Sequence, residues 1–151
     1  MCYNEILKLS YEQILNLTDF VNTLKHLQSS IVKNELEEIE VAVEREEKDL
    51  HRIKNCEDKR VEAIKSALHN YKIEADNTEA MDKLANVILE IDPEVYNEFN
   101  QVRTILLEKV KEVLLLNSQN EIIISNSRKF IRDLIKNVFG SKKENIFDRK
   151  I

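Results

Sequence analysis

The sequence predicts an all-α protein: an elongated antiparallel helical hairpin or bundle of two long helices joined by a short one. Three observations lead there. The 151 residues include one glycine, Gly140, and one proline, Pro93. A fold with many tight turns would need more of both, because those residues supply turn geometry. Hydrophobic residues make up 42% and charged residues 34%, the balance of helices with one apolar stripe and a charged outer face. Leucine, isoleucine and valine recur in steps of three and four, which is the seam of packed helices.

The first element starts near Asn4 or Tyr11 and runs to about Asn70. Its apolar positions are Leu17, Phe20, Leu24, Leu27 and Ile31. The pattern then shifts by one and resumes at Val32, Leu36, Ile39 and Val43, continuing through Leu50, Ile53, Ile64, Ala67 and Tyr71. The shift reads as a local discontinuity or gentle bend. An unbroken helix of about 60 residues would be a rod of roughly 90 Å.

Residues 72–79 are the first break. Asp76, Asn77 and Thr78 offer capping oxygens to a short helix over about Thr78 to Glu90. Asp92 then makes a good N-cap, with Pro93 at the first helical position. A second long helix runs from Pro93 to about Phe139. Its seam is Phe99, Val102, Leu106, Val113, Leu116, Asn120, Ile124, Ser127, Ile131, Leu134 and Val138. Gly140 is placed as its stop. Residues 1–140 are expected to form one antiparallel bundle domain and residues 141–151 a flexible tail. The bundle closes either within one chain or by pairing two chains, giving a monomer or a homodimer.

Composition excludes several functions. Cys2 and Cys56 lack metal-site spacing and suit reduced thiols in a cytoplasmic protein. No stretch approaches the roughly 20 apolar residues that span a bilayer, so membrane insertion is not expected. The N-terminus lacks the regions of a signal peptide. The net charge of -5 is uneven: residues 128–151 carry +5 and the rest -10. An acidic body repels phosphate and disfavours nucleic acid.

Catalytic parts are missing. One glycine cannot build a phosphate-cradling loop. His26, His51 and His69 never fall three or four residues apart, and none follows a Glu-x-x-His pattern. No enzyme activity, metal or cofactor is expected. Glu57 and Arg60 fall on the seam three residues apart, the spacing of a structural ion pair that fixes register. Asn117, Asn120 and Ser127 interrupt the seam of the second long helix. They either fix register or mark where the seam opens to another chain. From Ile122 to Phe139 the helix is apolar over more than one stripe. That surplus face either meets a partner or is covered by residues 4–17.

At these residues the chain resembles a family. Residues 117–131, NSQNEIIISNSRKFI, look like the Asn-x-x-Asn-x-x-Leu-Ile-x-x-Ser-Leu-x-Tyr stretch of FlgN-type flagellar type III export chaperones. Asn117 and Asn120 match the asparagines, Ile123 and Ile124 the aliphatic pair, and Ser127 the serine; Phe130 or Ile131 stands near the aromatic. Glu57 and Arg60 resemble the Leu-Glu-x-x-Arg that closes the family's first long helix. The IFDRKI ending is similar to a Thr-Tyr-Asp-x-x-Gly tail, with Phe147 at the tyrosine and Asp148 at the aspartate. Phe147 lacks the hydroxyl, and Ile151 stands where glycine would be.

The resemblance implies a cytoplasmic chaperone that binds the C-terminal helical region of hook-filament junction proteins, FlgK- or FlgL-like. It would prevent their premature assembly and deliver them to the export gate. Client binding would fall to Asn120, Ile124, Ser127, Ile131, Leu134, Ile135, Val138 and Phe139. Phe147 and Asp148 would dock the client or the export apparatus. The alternative is a structural coiled-coil protein that acts by self-association.

Overall fold

The computed structural model describes residues 2–77 and 79–139; the side chains of residues 2, 127, 128, 130, 131 and 134–139 are not among those described. The protein is all-α, with helices α1 (Cys2–Val32), α2 (Leu36–Asn70), α3 (Ala80–Ile91) and α4 (Pro93–Phe139). The expected stop at Gly140 and the tail lie outside the described residues.

The single helix expected up to Asn70 is two helices. The chain reverses at Lys33–Glu35. Glu35 N–H donates to the Ser30 carbonyl at 3.0 Å and Asn34 N–H to the Ile31 carbonyl at 3.1 Å. That pair of bonds is the Schellman stop, which needs a left-handed residue. Asn34 supplies it with φ 55°, and asparagine is one of the few non-glycine residues that visits this region readily. The phase shift in the apolar pattern therefore marks a full reversal. The rod shortens to the 31 residues of α1, about 46 Å.

The second break repeats the device. Ile73 N–H donates to the Leu68 carbonyl at 3.0 Å and Lys72 N–H to the His69 carbonyl at 2.9 Å, with Lys72 at φ 59°. Asp76 Oδ1 then accepts the Glu79 N–H at 2.9 Å just before α3. At the last junction, Asp92 Oδ1 accepts the N–H groups of Glu94 and Val95 at 3.2 and 3.3 Å. This satisfies donors left open at the start of α4, where Pro93 needs none.

Cross-helix bonds set the directions. Gln13 meets Ile53, Thr23 meets Asp49 and His26 meets Glu38, so α2 runs antiparallel to α1. Tyr11 meets Glu98 and Gln28 meets Gln119, so α4 runs parallel to α1. The two-helix antiparallel pairing expected from sequence is thus replaced by three long helices. α1 packs against α2 and α4, and α3 packs against the same two. No Cα of α1 lies within 8 Å of α3, nor of α2 within 8 Å of α4, among the described residues. These are the neighbour and diagonal relations of a four-helix bundle. Its fourth helix, α3, has only 12 residues, about 18 Å.

The main core lies where all four helices overlap. Ile6, Leu7, Ile64, Leu68, Leu84, Ile88, Phe99 and Val102 are buried together there. Each such side chain contributes about 1.5–3 kcal/mol on leaving water. Beyond α3 the core thins to Phe20, Val21, Leu24 and Leu116. The α1 seam residues Leu17, Phe20, Leu24 and Leu27 are buried, as are Phe99, Val102, Leu106 and Leu116 of α4. On α2 the seam moves by one residue. Ala42, Asp49 and Cys56 face inward and are buried, whereas Val43 and Leu50 are exposed. Small side chains let α2 approach α1 closely, which leaves the larger aliphatic row on its flank.

Candidate functional site

Polar clasps hold the helices around their thin core. On α1, Gln13 Nε2 donates to the Ile53 carbonyl at 3.0 Å and to Glu57 Oε2 at 3.2 Å. Arg60 completes the group with two bonds to Glu57, Nε to Oε2 at 3.0 Å and Nη2 to Oε1 at 2.9 Å. Burial pushes the Glu57 carboxyl up. The Arg60 guanidinium outweighs it through hydrogen bonding and charge, Gln13 adds to it, and the carboxyl ends below its ordinary value. Arg60 Nη1 also reaches Met81 Sδ of α3 at 3.7 Å. Higher up, the Thr23 hydroxyl donates to buried Asp49 at 2.6 Å, and Asp49 also pairs with Arg52. His26 and Glu38 close the α1–α2 tip at 2.9 Å.

Of the residues expected to hold a partner, the structure turns Asn120 inward. It is 3% exposed, and its Nδ2 donates to the Leu24 carbonyl at 3.1 Å. Its Oδ1 is buried and has no partner among the described residues. Asn120 therefore fixes the register of α4 on α1, while Asn117 is exposed and Ile124 half-buried. The side chains of Ser127, Ile131, Leu134, Ile135, Val138 and Phe139, and all of Phe147 and Asp148, lie outside the described residues.

The backbone shows where the distal part of α4 goes. From the Leu24–Asn120 bond, α1 continues only to Val32 while α4 continues to Phe139. The difference of about 11 residues extends α4 roughly 16 Å past the end of α1. Residues 4–17 sit at the opposite end, where Tyr11 donates to Glu98 at 3.0 Å. They do not cover the distal apolar stretch.

Sequence reasoning missed one surface. Between α2 and α4, above the start of α3, lies a cleft of about 400 Å³ lined by Leu17, Ile53, Met81, Leu106, Leu107 and Val110 among others. The signal was present as a doubled stripe on α4, where Leu107 and Leu114 each follow a seam residue, Leu106 and Val113. Among the described residues no group of three or more His, Cys, Asp or Glu is placed to hold a metal ion. Among the described residues no helix is long and apolar enough to cross a membrane.

The described residues form an all-α bundle with one short corner and a largely apolar cleft beside it. The family model described as FlgN protein matches residues 1–150, and the chain belongs to that family. FlgN proteins are flagellar export chaperones, a generally non-enzymatic family. No curated protein and no solved structure matches the chain.

Proposed function

We propose that this chain is a cytoplasmic export chaperone for FlgK- and FlgL-like hook-filament junction proteins. It binds their C-terminal helical region, keeps them from assembling early and hands them to the flagellar type III export gate. The observation that carries the reading is the family match over residues 1–150. The extension of α4 past the end of α1 supports it. A client helix awaiting assembly must hide its apolar seam, and a spare apolar helix face supplies a temporary partner.

On this reading the distal α4 face holds the client through Ile124, Ser127, Ile131, Leu134, Ile135, Val138 and Phe139. Asn120 anchors the base of that face on α1. Phe147 and Asp148 dock the client or the export apparatus. Glu57 and Arg60 keep the bundle in register.

The test is calorimetric titration of the full chain with the C-terminal helical fragments of the same organism's FlgK- and FlgL-like proteins. Saturable binding to at least one is expected. Ile131→Asp is expected to abolish it while the helical circular dichroism persists. A wild-type chain that binds neither fragment overturns the reading. A version ending at Gly140 that binds the client normally but is no longer captured by export components assigns the tail to the gate.

A further inference from the structure

The bundle has four corners, and one is filled only in part. α3 spans about 18 Å of a corner that runs the full length of the 46 Å helix α1. Beyond Met81 the flanking helices continue without a fourth neighbour among the described residues.

Each wall of this open corner carries an exposed aliphatic row. On α4 the row Leu107, Val110 and Leu114 is 54, 41 and 63% exposed. On α2 the row Val43 and Leu50 is 41 and 47% exposed and leads down to Ile53 in the cleft. These rows continue the surfaces that bury Leu84 and Ile88 of α3 further down. The chain thus shows in its own fold what this corner accepts: an amphipathic helix, antiparallel to α4.

Residue 107 lies 32 residues before Phe139, about 48 Å along α4, further than residues 140–151 reach even fully extended, about 40 Å. A second copy set face to face is disfavoured by charge. Residues 35–47 of α2 carry seven glutamates and one arginine, so two such corners would oppose acid to acid. Glu46 lies on the α2 wall between Val43 and Leu50 and is half-buried. Burial and then Glu47 push its carboxyl up, an environment that a neighbouring cation would relieve.

We infer that the open α2–α4 corner seats the client's terminal helix, which continues from the distal face of α4 down to the start of α3. The inference rests on the chaperone reading above. It specifies the client's chemistry: an aliphatic face for Leu50, Ile53, Leu107 and Val110, and a lysine or arginine on the edge that meets Glu46. The bound helix completes the fourth corner, and α4 is the wall it shares with the distal face.

The experiment compares three chains against the same FlgK- and FlgL-like C-terminal fragments by calorimetry. They are wild type, the double variant Leu107→Asp/Val110→Asp, and Leu15→Asp as an exposed aliphatic control. Thermal circular dichroism confirms folding of each. The double variant is expected to bind more than tenfold more weakly, because an aspartate facing a desolvated apolar helix is unpaired. The control should match wild type. Equal affinity of double variant and wild type, with binding still lost in Ile131→Asp, overturns this inference and leaves the chaperone reading standing. If the double variant instead dissolves a homodimer, seen by sedimentation, without changing client affinity, a second copy occupies the corner and the inference also falls. No binding by wild type removes both readings.

Discussion

Asn120 on α4 donates its amide to the backbone carbonyl of Leu24 on α1, 96 residues earlier in the chain. The bond ties two parallel helices at the point where α4 begins to outrun the hairpin. It is an imperfect tie, because Oδ1 of the same side chain is buried without a partner among the described residues. A buried unsatisfied acceptor costs about 1–3 kcal/mol, more than one neutral hydrogen bond returns.

Asn120→Leu is therefore expected to stabilise the chain by about 1 kcal/mol, a rise in Tm of about 2–4 °C. Thermal unfolding followed by circular dichroism measures it. A fall in Tm would show that the amide contributes more than its orphaned oxygen costs.

Thr23→Val leaves Asp49 with one partner fewer in a buried position. The expected loss is about 1–2 kcal/mol, read from the urea midpoint at constant slope. An unchanged midpoint would assign the satisfaction of Asp49 to Arg52 alone.

Glu57 gives a pH dependence of known sign. Its carboxyl titrates below the ordinary value of 4.5 in the folded chain. Its contribution is therefore fully present above that value and is lost as pH falls through the lower folded one. Glu57 is 41% exposed, so solvent screens the effect and it is small. Glu57→Gln should show a shallower loss of stability than wild type between about pH 5 and pH 3. Parallel curves for the two chains would mean that the Arg60 pair adds nothing on folding.

Lys72 holds a left-handed backbone at φ 59°, which costs a side-chain-bearing residue about 1–2 kcal/mol. Lys72→Gly removes that strain but loosens the unfolded chain. The net gain expected is about 0.5–1 kcal/mol, measured by urea unfolding. Destabilisation would mean that the lysine side chain holds the turn by a contact of its own.

Cys56 is buried, and its thiol lies 3.4 Å from the Leu9 carbonyl. Burial pushes the thiol up, with Glu12 and Glu57 adding to the shift against Arg60 and Lys59. A protonated, covered thiol reacts slowly. In a Cys2→Ser chain, a disulfide reagent should label Cys56 slowly in buffer and at once in urea. Rapid labelling of the folded chain would show that the α1–α2 contact opens freely.

The Glu57–Arg60 pair was legible before the fold was known, and other residues were legible only in part, for reasons that differ by residue. Glu57 and Arg60 are three apart on one helix, so their pairing is local. Asn120 stood out as a polar residue in an apolar seam, but only the position of Leu24 decided that it faces inward. Leu107 and Val110 drew no attention, since aliphatic residues beside a seam look like a broad core face until one knows which helix is missing opposite them.

The sequence by itself determined the helices. Their spacing of apolar residues, the Asp92–Pro93 start and the break after Asn70 all act through bonds within a few residues, so they are written locally. Tertiary structure decided everything that depends on what each stripe faces. A one-residue phase shift at Ile31 fits a bend or a reversal equally well, and Asn34 in a left-handed conformation settled it as a reversal. That turn made three long helices of two, set α4 parallel to α1, and left α3 to fill one end of the fourth corner. Periodicity marks which face of a helix avoids water, and only the packed chain shows which of those faces still lacks a neighbour.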